Sequence, residues 1–220
     1  MLMRMGQKGV ETLEEVLGNL ASDMTLGLDM RMVSVEWLSH FKASFPKALV
    51  MHDPKAFDEL WLNRPKRSCT PDWDYDVQYC GVSRQEKIKL VKQQMAEKGA
   101  LGMLVGGLDD VSWLLNLRGH DVTCNPVALS FVLIDEKHTT LYIQKAALSE
   151  DMVALLEADG ITLRPYEAIY NDLELYDSGT LWIDSKKTNA ALVECLNPQI
   201  PLLKEDLPIA LMKAIKNPIE

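Results

Sequence analysis

Between Ser83 and Lys204, short uninterrupted apolar runs alternate with segments of helical period. That alternation limits the possible folds more than any other feature of the chain. "ALGMLVG" is a continuous apolar run of the kind that fills a strand covered on both faces. "VALSFVLID" and "HTTLYIQ" are two further strands, joined by a tight polar turn at Glu136 and Lys137. "ITLRPY", "GTLWIDS" and "QIPLLKE" complete the set. Helix signals lie between them. Ser83 and Glu86 make a capping box before "EKIKLVKQQMAEKGA", where Ile88, Val91 and Met95 share one face and Gly99 supplies a stop. "LDDVSWLLNLR" reads as a helix with Asp109 or Asp110 as N-cap. Ser149 opens "EDMVALLEA" and Gly160 closes it, and "EAIYNDLELY", "KTNAALVECL" and "LPIALMKAIK" are helical, the last from near Pro208. Strands and helices in this order predict an α/β three-layer domain with a mixed sheet, mostly parallel with one antiparallel hairpin.

The first 82 residues have a different character. Thr12 with Glu15 fits a capping box, and Leu13, Val16, Leu17 and Leu20 give one apolar face. "MTLGLD" and "KALVM" are short strands, and "VSVEWLSHF" is helical from Ser34. Two short strands and two short helices make a thin core for a free-standing unit. Residues 51–82 are polar, hold prolines, lack a clear period and carry the aromatic anchors Trp61, Trp73, Tyr75 and Tyr79. So long a connection marks a domain boundary. The expected division is a partial α/β domain plus linker at 1–82, a complete α/β domain at 83–207 and a linker helix at 208–220.

Composition excludes several function classes. A formal net charge of −9 without a long basic run argues against nucleic acid as a partner. No apolar run is long enough to cross a membrane, and the first fifteen residues lack the apolar core of a signal peptide. The four cysteines, Cys69, Cys80, Cys124 and Cys195, are widely spaced and form no zinc pattern, which fits reduced thiols in a cytoplasmic protein. The histidines do not cluster: beyond His120 there are His40, His52 and His138. Asp109 and Asp110 read as capping carboxylates. Gly106 and Gly107 precede a helix as phosphate loops do, but two aspartates follow at once and would repel an anion.

One segment concentrates polar groups. In "WLLNLRGHDVTCNPV", residues 113–127, an apolar run stops and Asn116, Arg118, Gly119, His120, Asp121, Asn125 and Pro126 follow within eleven positions. A structural reading explains much of it. Arg118 complements a helix C-terminus, Gly119 ends the helix, Asp121 turns the chain, and Asn125 and Pro126 begin the next strand. It does not explain why so many donors and acceptors sit together. A Cys124 and His120 thiolate pair is the catalytic alternative.

The residues of this segment also carry a family resemblance. "LDDVSWLLNLRGHDVTCNPVALSFVLI" is similar to the middle domain of the Xaa-Pro aminopeptidases (aminopeptidase P) of the creatinase/prolidase superfamily. The family's Leu-Asp-x-x-x-Trp-Leu-x-Asn-x-Arg-Gly-x-Asp-x-x-x-x-Pro run falls on Leu108, Asp109, Trp113, Leu114, Asn116, Arg118, Gly119, Asp121 and Pro126. "LMKAIKNPIE" resembles the segment that leads into the catalytic domain, and "LMRMGQKGVETLEEVL" resembles a stretch late in the first domain. His120 and Cys124 fall on variable positions.

The resemblance implies the ribonuclease H-like topology of creatinase N-terminal domains. It also implies that this chain is the end of the first domain plus the whole second domain. The pita-bread catalytic domain would follow, with two divalent metals (Mn or Zn) held by two Asp, one His and two Glu. No catalytic or metal-ligating position of that domain maps here, so the expected cofactor of this fragment is none and its expected activity alone is none. The expected role is scaffold, cleft wall and restriction of access to short proline-containing peptides. Residues 116–126 would face the chain's own catalytic domain or the substrate, and a homodimer is among the assemblies open to it. The rival reading is a stand-alone peptidase-like binding module without catalysis.

Overall fold

The computed structural model describes residues 4–19, 25–46, 49–52 and 61–220. Leu20, Met24, Lys47 and Ala48, and the side chain of His52, lie outside the described residues. The elements in chain order are α1 (Leu13–Asn19), β1 (Thr25–Leu28), α2 (Val35–Ser44), β2 (Leu49–His52), β3 (Trp73–Asp74), α3 (Val77–Cys80) and α4 (Arg84–Glu97). Next come β4 (Gly102–Val105), α5 (Leu108–Leu114), β5 (Leu117–Arg118), β6 (Ser130–Asp135), β7 (Thr139–Ile143), a 3-10 turn (Lys145–Ala147) and α6 (Glu150–Ala158). The chain continues through β8 (Ile161–Pro165), α7 (Ala168–Glu174), β9 (Leu181–Ile183), α8 (Ala190–Glu194), β10 (Leu202–Lys204) and α9 (Pro208–Ala214).

Six strands form one mixed sheet in the order β10-β9-β4-β6-β7-β8. The strand period of two sorts its side chains between two layers. Met103, Val105, Val132, Ile134, Leu141, Ile143 and Trp182 join the core under α4, α5, α6 and α9. Leu104, Phe131, Tyr142, Leu181 and Ile183 join the core under α7 and α8. This is the three-layer α/β fold that the alternation predicts. As expected, the sheet is mostly parallel with one antiparallel hairpin, since β6 alone of the six strands is reversed, running antiparallel to both β4 and β7. The chain after α5 sets this: residues 115–129 stay at the end where β4 finishes, so β6 begins at Ser130, brings Val132 opposite Val105 and runs back. The polar segment therefore lies at the end of the sheet where β4, β7, β8, β9 and β10 finish.

The caps match the sequence. Ser83 and Glu86 close a full capping box, and Ser34, Ser149 and Asn189 each accept a backbone N–H at a helix start. Gly99 and Gly160 end their helices at φ of 68° and 80°, a region glycine enters freely. Thr12 and Glu15 form the reciprocal pair expected of them. The predicted apolar face of α1 is not a core, since Leu13 is exposed and Val16 and Leu17 are half-buried.

β1 and β2 pair in parallel as a separate two-stranded sheet. α2 rests on α8, where Met30 and Leu38 pack with Ala190 and Ala191. Residues 73–80 look like connection in the sequence but form β3 and α3, and β3 pairs antiparallel with β5.

Candidate functional site

Two corrections apply to the segment around α5. Its N-cap is Gly107, without a side-chain cap, and not Asp109 or Asp110. Both aspartates lie inside the first turn, where free N–H groups and the dipole favour negative charge. The helix also ends earlier than expected, at Leu114, and Leu117–Arg118 is a strand. Asn116 makes the exit, at a φ of 51°, a left-handed conformation that Asn tolerates better than most residues. Gly119 does not stop the helix. It keeps the turn thin, since a Cβ there would run into Asp72 Oδ1 and press on Ala128.

Four neighbouring elements hold the site. Asn116 is buried, accepts from Lys87 Nζ at 2.6 Å and donates to the Val82 carbonyl at 3.1 Å. Its carbonyl accepts from Tyr75 N at 2.7 Å, which ties the helix exit to β3. Lys87 also donates to the Trp113 carbonyl at 2.9 Å and stands over the Trp113 ring. Burial pushes the Lys87 amine below its ordinary range. Arg118 donates from one guanidinium nitrogen to the Ser112 and Leu117 carbonyls, at 2.7 and 2.9 Å, and lies 4.4 Å over the Tyr75 ring. It thus serves the end of α5, as the sequence suggests, but from a strand.

His120 is exposed and its ring packs on Trp73 at 4.6 Å. Asp121 is the anchor of the turn. Its carboxylate accepts from Ser68 Oγ at 2.8 Å, Thr70 N at 3.2 Å, Thr70 Oγ1 at 3.1 Å and Leu129 N at 2.9 Å. Burial raises the Asp121 carboxyl, but these hydrogen bonds outweigh it and hold the group below the usual carboxylate range. Asn125 and Pro126 form the outer limb of a small hairpin, with Gly119 N bonded to the Pro126 carbonyl and Asp121 N to that of Val127. The next strand begins only at Ser130. Cys124 sits exposed at the tip with a φ of 63°.

The structure brings Asn116, Arg118, Gly119, His120 and Asp121 together against a strap at residues 68–75; Asn125 and Pro126 lie on the rim. Sequence reasoning passed over Lys87, Asp72, Ser68 and Thr70, and it named Trp73 and Tyr75 only as linker anchors. One signal was available for Lys87. It lies four residues before Val91, which places it on the buried face of α4. Among the described residues, no group of three or more His, Cys, Asp or Glu is placed to hold a metal ion. Among the described residues, no helix is long and apolar enough to cross a membrane.

What the arrangement offers is the half-buried Arg118 guanidinium beside exposed aromatic rings, with the Lys87 ammonium enclosed in the interior. Neither Lys87 nor Arg118 has a carboxylate within ion-pair distance among the described residues, and Trp73, Tyr79 and His120 are exposed nearby in the chain. Comparison with known proteins adds the following. The family profile described as Creatinase/Prolidase N-terminal domain matches residues 63–220. Aminopeptidase P1 of Arabidopsis thaliana is 28% identical over 251 residues, covering all of this chain and 38% of its own length. A probable Xaa-Pro aminopeptidase P of Tuber melanosporum is 28% identical over 241 residues, covering all of this chain and 39% of its own. The chain thus spans under two fifths of the length of these relatives. The crystal structure of an X-prolyl aminopeptidase from Caenorhabditis elegans, described as a cytosolic enzyme with a di-nuclear active site, superposes with a TM-score of 0.88. It is 23% identical, and the match covers all of this chain and 37% of that one, a likeness in fold.

Proposed function

The chain belongs to the creatinase/prolidase N-terminal domain family, and from that premise we propose that it is the non-catalytic N-terminal part of a metal-dependent Xaa-Pro aminopeptidase. The parent protein releases the N-terminal residue from peptides with proline second. Two divalent metals, Mn or Zn, belong to a catalytic domain beyond these residues, and this chain alone is inactive. Its work is to brace that domain, wall the cleft and limit access to short peptides. Cytoplasmic placement belongs to the same reading and is supported by the description of the Caenorhabditis elegans relative as cytosolic.

The observation that carries this reading is the state of Arg118. Its guanidinium is oriented by two carbonyls and a ring and has no carboxylate within ion-pair distance among the described residues, Glu220 acting on it only from farther away. The turn also lies where five strands of the sheet finish, the end at which open α/β sheets place ligand contacts. An oriented guanidinium without a direct ion pair is suited to a carboxylate or carbonyl of a peptide or of an adjoining domain. The test is Arg118→Ala in the full-length protein, assayed on Xaa-Pro peptides. The expected result is a fall in kcat/KM of roughly tenfold or more, the worth of one charged hydrogen bond, with the protein still folded though about 1–2 kcal/mol less stable for the loss of the donor to two carbonyls. Unchanged kinetics would reject the contact with substrate.

A further inference from the structure

The turn at residues 118–121 holds two carboxyl groups in opposite states. Asp121 accepts at both oxygens, three times at Oδ1 and once at Oδ2. Asp72, pressed against Gly119 from the strap, has none: it is 7% exposed and neither of its oxygens has a hydrogen-bond partner. Its backbone N–H is fixed to the Ala147 carbonyl at 2.8 Å, so the residue is held in place while its side chain lacks any donor.

Among the described residues, the elements around Asp72 supply no cation. On β3, Asp74 is taken by Arg84. On β5, Arg118 is committed to the Ser112 and Leu117 carbonyls and the Tyr75 ring. In the 3-10 turn, Lys145 is exposed, and His120 points onto Trp73. The charged group that acts on Asp72 is Asp121, of like sign. A buried carboxylate with no donor and a negative neighbour is too costly to keep ionised, and such a group takes up a proton instead.

We propose that Asp72 is a positioning residue that holds the 118–121 turn as a neutral acid, and that its ionisation at raised pH loosens the turn and the 68–72 strap together. Burial first, and repulsion from Asp121 second, push the Asp72 carboxyl up from 3.8 to about 7. The folded chain therefore keeps a proton that the unfolded chain has already lost. Stability from this group is full below the unfolded value near 3.8 and is lost as pH rises through about 7. The inference concerns the turn whatever it touches, so its failure leaves the peptide-facing reading of Arg118 intact.

The experiment uses this chain with its aspartate carboxyl carbons labelled, followed by NMR across pH, with the Asp72 signal identified by its absence from Asp72→Asn. The expected Asp72 midpoint is about 7. The protection of the Thr70 and Leu129 amides, both held by Asp121, should fall roughly tenfold or more between about pH 6 and pH 8.5, about one pKa unit or more of linkage. In Asp72→Asn that fall should vanish and the turn should stay closed. An Asp72 midpoint in the ordinary carboxylate range overturns the proposal, as does an equal loss of protection in Asp72→Asn. Should the variant fail to fold, the wild-type midpoint decides alone, with the signal assigned through its neighbours.

Discussion

The two ends of α5 carry similar groups and treat them in opposite ways. At the N-terminus, Asp110 accepts from Lys187 at 2.6 Å and Lys213 at 2.7 Å, and Asp109 also meets Lys213. Every charge there has a counter-charge, and the network ties α5 to α9 and to the loop before α8. At the C-terminus, Lys87 and Arg118 donate to carbonyls and an amide and lie over the rings of Trp113 and Tyr75. Both placements suit the helix dipole, with acids at the start and bases at the end. Closure is what separates them. One end pairs its charges directly within the chain, while the other satisfies its hydrogen bonds and leaves its cations without a direct ion pair, Glu220 acting on them only from farther away. A closed network of ions is what a fold needs to hold an element; an oriented cation over a ring is what a binding surface needs.

The comparison breaks most easily at its closed end. Asp110 is 1% exposed and takes both lysines, so Asp110→Ala removes the buried member of the network and leaves the two partly buried ammonium groups only the half-exposed Asp109. The expected loss of stability is about 3 kcal/mol, read from urea unfolding at neutral pH. A loss under about 1 kcal/mol would mean that the network is no more than a surface pair. Lys87→Met should cost less, about 1–2 kcal/mol, because leaving Asn116 and the Trp113 carbonyl without a donor is partly offset by relief from burying an unpaired charge. It should also change the pH response. The folded amine is lowered by burial, so the folded chain binds fewer protons than the unfolded one in the window below the ordinary value of 10.5. Stability therefore rises with pH across that window in the wild type, and Lys87→Met should lose the rise.

Much of the closed end was legible in the sequence and little of the open end was. Short apolar runs and capping residues are local signals, so Ser83, Ser149 and Gly160 mark helix limits without knowledge of the fold. The acids at 109 and 110 were legible as belonging to a helix start, although their partners, some 77 and 103 positions away from Asp110, were not. The open end depends on long-range contacts. Asp121 is held from positions 51 and 53 residues earlier, and Tyr75 meets Arg118 only because β3 pairs with β5. Two-residue strands carry no period to detect, so the strap read as mere connection. The early end of α5 was hidden because "LLNLR" continues a helical pattern, and only the left-handed Asn116 interrupts it. The resemblance marked the residues of the turn as a group, but the buried Asp72 beside them has no sequence signature, since an unpaired carboxyl looks like any other aspartate in a polar segment.

The smallest expected effect sharpens the comparison from the other side. His120 is exposed, donates only its backbone N–H to Thr70 Oγ1 at 3.2 Å and rests its ring on Trp73. Its side chain completes no buried hydrogen bond. His120→Ala should therefore move the unfolding free energy by no more than about 0.5 kcal/mol, the range for surface positions. The Trp73 indole resonance should shift all the same, because the imidazole that lies against it is gone. Asp121 and Asn116, whose hydrogen bonds do not involve that ring, should keep their amide protection. A large loss of stability would show that the aromatic face is structural, like the closed end of α5. A near-zero cost with a shifted indole would fix the difference between the two ends: the ion network is held for folding, and the histidine on Trp73 is surface that folding does not require.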